Sequence, residues 1–143
     1  MDKLKILVLC TGNSCRSQMM EGYLRHFAGG KAMIYSAGVE IHGLNPKAVE
    51  VMLEDGVDIS GHTSNHISEY QHINFDIVIT VCDHARESCP WFPSTSVTLH
   101  HNFPDPAKAT GNPGEIKNEF RKVRALIREY ASALVSDRFP IGL

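Results

Sequence analysis

Short apolar runs alternate with amphipathic stretches along the chain, and this alternation indicates an α/β domain. Apolar runs over residues 5–10, 33–37, 75–81 and 96–100 predict four strands. The first run has almost no polar position, which is typical of a central strand of a parallel sheet covered on both faces. We therefore predict a four-stranded parallel sheet flanked by helices.

Three helices are predicted between and after these strands. Helical spacing of apolar residues begins at Ser17, continues to about Ala28 and stops at a glycine pair. Asn45-Pro46 provides an N-cap and a first helical proline for the second helix. Asn112 and the acid three residues later form a capping box for the last helix. Its apolar stripe consists of Ile116, Phe120, Val123, Ile127, Tyr130 and Leu134.

Length and composition narrow the classes of function. The 143 residues predict one domain over 1–143, and the formal net charge of -2 gives no reason to expect a nucleic acid partner. No stretch approaches the roughly 18 apolar residues of a membrane span, and no signal-peptide cleavage site follows the N-terminus. We therefore expect a cytoplasmic protein, most simply a monomer, whose four cysteines serve chemistry rather than structural bridges.

The segment after the first strand has the composition of an anion-binding loop. Backbone amides ahead of a helix, with an arginine at the helix start, can surround a tetrahedral oxyanion. The predicted oxyanion-binding residues are Thr11, Gly12, Asn13, Ser14, Cys15, Arg16 and Ser17. Cys10 would lie at the base of this loop as a nucleophile with a depressed pKa. The alternative is a buried strand-end cysteine and an unrelated surface arginine.

The spacing Cys-X5-Arg-Ser near the N-terminus resembles the phosphate loop of low-molecular-weight tyrosine phosphatases. That family also needs a general acid, because the leaving oxygen must be protonated. The resemblance places the acid at Asp105, in an Asp-Pro sequence after the last strand. The alternative is that Asp105-Pro106 only forms a turn.

Two further cysteines extend the resemblance. Cys82 follows the third predicted strand, so it belongs at the same sheet edge as Cys10, and Cys89 comes seven residues later. This spacing fits neither a Cys-X-X-Cys motif nor a zinc knuckle. Over nearly the whole chain, the sequence resembles thioredoxin-coupled arsenate reductases. The matching segments are residues 10–19, 21–22, 35–38, 42–43, 45–46, 58–60 and 62–64, with the two later cysteines.

This resemblance implies a relay of three thiols without a cofactor. Cys10 attacks arsenate, Asp105 protonates the leaving group, Cys82 attacks Cys10 and Cys89 then attacks Cys82. The resulting Cys82-Cys89 disulfide is reduced by thioredoxin, which requires a mobile segment 82–89. Glutaredoxin or a mycothiol-type thiol stays open as the donor. A weak phosphatase activity is expected because both reactions use the same loop.

Two other functions stay open at this stage. A tyrosine phosphatase would need only Cys10, Arg16 and Asp105, although Ala107 replaces the aromatic residue that often lines a phosphotyrosine slot. A noncatalytic module binding oxyanions or thiophilic metals is the third reading.

A metal site is not predicted. The histidine pairs, such as His62 with His66, have no clearly spaced third ligand. The resemblance also implies a potassium site found in some relatives, at Asn13, Glu21, Ser36, Thr63 and Asn65. Asn65 replaces an acidic residue there, which removes a charge. Asn13 and Glu21 also fit a structural role as hydrogen-bonding partners of the loop.

Overall fold

The computed structural model describes residues 3–88 and 96–139. Its sheet has four parallel strands, in the order β2-β1-β3-β4. The strands are β1 (Leu4–Cys10), β2 (Ala32–Gly38), β3 (Ile77–Thr80) and β4 (Val97–His100). Because all four are parallel, their carboxyl ends meet at one edge of the sheet. The predicted parallel sheet is confirmed.

Four α-helices accompany the sheet, and three of them match the predicted ones. These are α1 (Arg16–Ala28), α2 (Pro46–Glu54) and α4 (Pro113–Arg138). The predicted caps are present, since Asn45 accepts from the Lys47 N–H and Asn112 forms a capping box with Glu115. The remaining helix, α3 (Asp83–Ser88), was not predicted. Short 3₁₀ turns cover Gly29–Lys31, Ile67–Tyr70 and Pro106–Lys108.

The core lies between the sheet and the helices. Every residue of β3 is buried, whereas β4 is partly exposed at the sheet edge. The apolar stripe of α4 faces inwards, with Phe120, Val123 and Ile127 at most 2% exposed. Within residues 3–88 and 96–139, no helix combines the length and apolar character that a membrane span requires.

The third strand is shorter than the predicted run 75–81. Its ladder ends at Thr80, although the Val81 N–H still donates to the Leu9 carbonyl at 2.9 Å. Directly afterwards the chain turns into α3, which places Cys82 beside the end of β1. This tight turn lets residues from two neighbouring strands contribute to one site.

Candidate active site

The loop between β1 and α1 is held by a buried side chain. Asn13 is fully buried and adopts a left-handed backbone conformation, with φ of 49°. Its amide Nδ2 donates to Ser17 Oγ at 2.8 Å and to Ser36 Oγ at 3.0 Å, while its Oδ1 accepts from the Asn65 N–H at 2.8 Å. Ser36 in turn donates to Glu21 at 2.6 Å. These bonds fix the loop before any ligand arrives.

Gly12 lies where the loop meets the chain after β2. A Cβ atom at this position would be 2.2 Å from Nδ1 of His42, so any larger residue would displace that ring. The carbonyl of Gly12 accepts from the His42 N–H at 2.9 Å and from Ser64 Oγ at 3.1 Å. The outer side of the loop is therefore packed against neighbouring segments.

A cavity of about 600 Å³ opens at the carboxyl edge of the sheet. Thr11, Gly12 and Ser14 line it as parts of the loop. The ionisable residues of the lining are Cys10, Cys15, Arg16, Glu40, His42, Cys82, Asp83, His84, Asp105 and Lys108. Asn13 and Ser17 are absent from the lining, because their side chains are bonded to each other behind the loop. Cys89 lies outside the described residues.

Cys10 and Cys82 form a buried pair of sulfur atoms in this cavity. They are only 4% and 3% exposed, and they lie close enough for each thiol to shift the pKa of the other. Thr11 Oγ1 lies 3.2 Å from Cys82 Sγ, and the Ala85 N–H donates to the same sulfur at 3.4 Å. Cys82 is thus the better-supported anion of the pair.

The pKa values of the two thiols are shifted in opposite directions. Donation by Cys10, followed by Thr11 and the Ala85 amide, lowers the pKa of Cys82 to about 5, against the opposing effect of burial. The hydrogen bond to Cys82, followed by burial, raises the pKa of Cys10 although Arg16 opposes it. The predicted depressed pKa of Cys10 is therefore wrong for the ligand-free protein. The cause is the neighbouring thiol of Cys82, because the two sulfurs titrate as a coupled pair.

Arg16 connects the loop to the segment that carries Asp105. Its Nη1 donates to the Phe103 carbonyl at 3.0 Å, and its Nη2 lies 3.6 Å from Asp105 Oδ2. Asp105 also accepts from the Ala107 N–H at 3.0 Å, which makes it the N-cap of a 3₁₀ turn. These contacts place the Asp105 carboxyl group in the cavity, beside the guanidinium of Arg16.

Cys15 is the third thiol in the cavity. It is 4% exposed, and burial together with the negative charge of Asp105 raises its pKa to about 12. Its sulfur is therefore a neutral thiol at physiological pH, unlike that of Cys82.

A family model for low molecular weight phosphotyrosine protein phosphatases matches residues 5–138. The chain belongs to this family. An arsenate reductase of Halalkalibacterium halodurans is 48% identical over 87% of this chain and 89% of its own length. The family resemblance predicted from the sequence is confirmed.

Two solved structures sharpen the comparison within the family. An arsenate reductase in its phosphate-binding state has a TM-score of 0.77 and 31% identity, and covers 94% of this chain and 98% of its own. An arsenate reductase in its oxidised state has a TM-score of 0.81 and 29% identity, with coverage of 93% and 97%. The family fold therefore occurs here over nearly the full length of these relatives.

The five residues for which the resemblance implied a potassium site form a hydrogen-bonded cluster. Glu21 accepts from Arg25 Nε at 2.8 Å and from Ser36, and lies 3.5 Å from His62 Nε2. Thr63 donates to the Asn65 side chain at 2.7 Å. The Arg25 guanidinium is thus paired with Glu21, which carries the only carboxylate among these five residues. Within residues 3–88 and 96–139, no group of three or more His, Cys, Asp or Glu side chains is arranged to hold a metal ion.

Several contacts around the site were not predicted from the sequence. Gln18 Nε2 donates to the carbonyls of Asn13 and Thr63 at 3.0 Å, and its Oε1 lies 3.0 Å from His62 Nδ1. The side-chain contact of Thr11 with Cys82 was also missed. Thr11 and Gln18 both belong to the segment 10–19 that carries the family resemblance, and this was their only signal in the sequence. The contacts themselves depend on how distant segments fold together.

Proposed function

We propose that this protein reduces arsenate to arsenite through Cys10, Cys82 and Cys89. The observation that carries the proposal is that Cys10 and Cys82 lie buried in one cavity at the base of the oxyanion loop. A phosphatase needs one sulfur at this point, whereas reduction needs a second thiol within reach of the first. The arsenate reductases among its relatives support the same conclusion.

The loop is suited to bind a tetrahedral oxyanion such as arsenate. Backbone amides over residues 11–17 and the guanidinium of Arg16 provide donors in a partly enclosed cavity. The bound anion places its central atom near Cys10, and its own basic oxygen can accept the Cys10 proton. Arg16 stabilises the charge that develops on the oxygens.

The proposed reaction consists of three nucleophilic attacks, each made by a cysteine thiolate. First, the Cys10 thiolate forms a bond to arsenic, and a hydroxyl group leaves as water with a proton from Asp105. Second, the Cys82 thiolate attacks Cys10 Sγ. The sulfur-arsenic bond breaks, its electron pair stays on arsenic, and arsenite departs. Third, the Cys89 thiolate attacks Cys82 Sγ, which releases Cys10 and leaves a Cys82-Cys89 disulfide.

The third step, in which Cys89 attacks Cys82, requires α3 to change its conformation. A disulfide needs Cα atoms within about 7 Å of each other. Cys82 and Cys89 flank α3, and a helix of six residues rises about 9 Å from end to end. We propose that part of Asp83–Ser88 unwinds so that the two sulfurs can meet, as the predicted mobility of this segment requires.

Thioredoxin is the proposed reductant of the resulting disulfide. Its dithiol has a potential of roughly -270 mV, so the Cys82-Cys89 pair must not be much more reducing than that value. We also propose that the chain acts as a monomeric catalytic domain over 1–143 in the cytoplasm, where reducing conditions keep its thiols available. Arsenate is then the only small-molecule substrate required besides the reductant.

A slow hydrolysis of aryl phosphates is the second proposed activity. Cys10, Arg16 and Asp105 form the same arrangement that phosphoryl transfer needs, and the chain belongs to a phosphatase family. Ala107 lines the cavity where a larger side chain could hold an aromatic leaving group, so this reaction should be weak.

The decisive experiment measures both reactions in the same samples. Arsenate-dependent NADPH oxidation with thioredoxin and its reductase is compared between the wild type and Cys89→Ala, alongside aryl phosphate hydrolysis. We expect the variant to lose arsenate turnover and to keep hydrolysis. Phosphate replaces arsenate as the negative control. Fast hydrolysis by both proteins with no arsenate-driven oxidation would replace the proposal with a phosphatase.

A further inference from the structure

The first residue of α3 is tied to the end of β4. Asp83 Oδ1 lies 2.7 Å from His100 Nε2, and the Asp83 N–H donates to Asn102 Oδ1 at 3.1 Å. Since a carboxylate can only accept, Nε2 of His100 carries the proton of this bond. Both contacts join residues separated by 17 and 19 positions, so they hold α3 from outside the helix.

His100 is itself held in place by the sheet. Its Nδ1 lies 2.6 Å from Oγ1 of Thr80, a residue of β3 that is 1% exposed. The His100 side chain is 18% exposed, whereas that of Asp83 is 63% exposed. The His100 imidazole is thus held in place by the sheet, whereas the exposed Asp83 carboxylate can move away from it.

This pair lies next to the thiol that must leave the cavity. Cys82 directly precedes Asp83 and accepts from the Ala85 N–H inside the first turn of α3. While Asp83 is hydrogen-bonded to His100, the first turn of α3 keeps its position and Cys82 stays beside Cys10. When the pair separates, the helix loses an external tie at the end where unwinding would free Cys82.

We propose that Asp83 and His100 form a latch that positions Cys82 in the cavity and must open before Cys82 reaches Cys89. This inference rests on the proposed relay. Both are positioning residues, since they act on the reaction through Cys82. The latch favours attack on Cys10 when closed and disulfide formation with Cys89 when open.

The latch is tested by the rate at which Cys82 opens to solvent in the reduced, arsenate-free protein. A short pulse of iodoacetamide at pH 7.5, followed by peptide mass mapping, reports the alkylation of each cysteine separately. We expect Asp83→Ala, which removes the acceptor of the His100 N–H, to speed alkylation of Cys82 about fivefold, as fits the loss of one partly exposed hydrogen bond. The His100→Ala variant keeps the Asp83 carboxylate, so it shows whether the lost charge alone speeds alkylation.

Matched variants separate the latch from a general loss of stability. His100→Ala should act like Asp83→Ala, while His100→Gln keeps an N–H donor and should restore most of the protection. Asp137→Asn removes an equal charge from an exposed part of α4 and should leave the rate unchanged. Cys15 is equally buried, so its alkylation rate must stay constant in all variants.

The outcomes for the latch and for the relay are distinct. Equal Cys82 alkylation in the wild type and Asp83→Ala, or parallel acceleration at Cys15, overturns the latch. Arsenate turnover by the wild type is measured separately with thioredoxin. Its absence overturns the relay, whereas turnover combined with equal alkylation rates overturns only the latch.

Discussion

The oxyanion loop over residues 10–17 and helix α3 both contribute a sulfur to one cavity, but they are held in different ways. The loop is fastened by the fully buried Asn13, which bonds to three other residues. Helix α3 has six residues, and its tie to β4 runs through the 63% exposed side chain of Asp83. The number and burial of these bonds differ, although both regions belong to the same site.

This difference follows from the two tasks. A nucleophile and its oxyanion donors gain from a fixed geometry, because reorganisation during the reaction costs rate. A resolving thiol must first lie against the nucleophile and then leave it, so its segment needs a low cost of opening. The site therefore combines a rigid loop with a weakly fastened helix.

The largest expected effect on activity comes from replacing Cys10 in the loop, compared with replacing Cys82 before α3. Cys10→Ser should lower both arsenate turnover and aryl phosphate hydrolysis at least about a thousandfold, since both reactions begin at this sulfur. Cys82→Ser should abolish arsenate turnover and keep hydrolysis. Coupled NADPH oxidation and aryl phosphate release measure the two activities. Equal loss of hydrolysis in both variants would contradict the division of roles.

Asp105→Asn should have the next largest effect. The amide cannot act as a general acid, so hydrolysis should fall about a hundredfold. Its side-chain oxygen still accepts the Ala107 N–H, which preserves the 3₁₀ turn. The loss should be greater for phenyl phosphate than for p-nitrophenyl phosphate, because the nitrophenolate leaves without a proton. An equal loss for both substrates would indicate a structural role for Asp105.

The sequence allowed the loop and most of the fold to be predicted, because their signals are local. Asn45, Asn112 and the glycine pair after α1 mark helix ends by their own chemistry. The contact between Asp83 and His100 was not predictable in this way. It depends on the register of β3 against β4, which pairs Thr80 with His100.

Helix α3 and the acidity of Cys10 were missed for related reasons. Residues 83–88 have no apolar stripe, and Ala85 is the only buried residue among 83–86. Cys10 was assigned a low pKa from its own loop and Arg16, but its hydrogen bond to Cys82 reverses the shift. Helix and pKa alike depend on neighbours that only the folded chain brings together.

A matched pair of asparagine substitutions measures how firmly each region is held. Asn13→Ala removes buried hydrogen bonds from a left-handed position and should lower the free energy of unfolding by roughly 3 kcal/mol. Asn102→Ala removes one exposed bond to the Asp83 N–H and should cost less than about 1 kcal/mol. Urea unfolding curves give both values. Similar costs would contradict the contrast between a rigid loop and a weakly fastened helix.

The smallest expected effect is the loss of one proton from the thiol pair of Cys10 and Cys82 as the pH rises. Because the pKa of Cys82 is lowered to about 5, the reduced protein should carry one thiolate at neutral pH. Protonation occurs as the pH falls through the pKa, so about nine-tenths of the thiolate should remain at pH 6 and half at pH 5. Thiolate absorbance at 240 nm measures this titration.

The same titration in Cys82→Ser shows which sulfur carries the charge. Without Cys82, the main cause of the raised pKa of Cys10 is gone, and Arg16 with the Thr11 amide then favours a thiolate at Cys10. Burial still opposes that charge, and Cys10 lacks the three donors that support Cys82. The absorbance step should therefore move to higher pH. A step that stays near pH 5 in this variant would place the thiolate on Cys10 in the wild type as well.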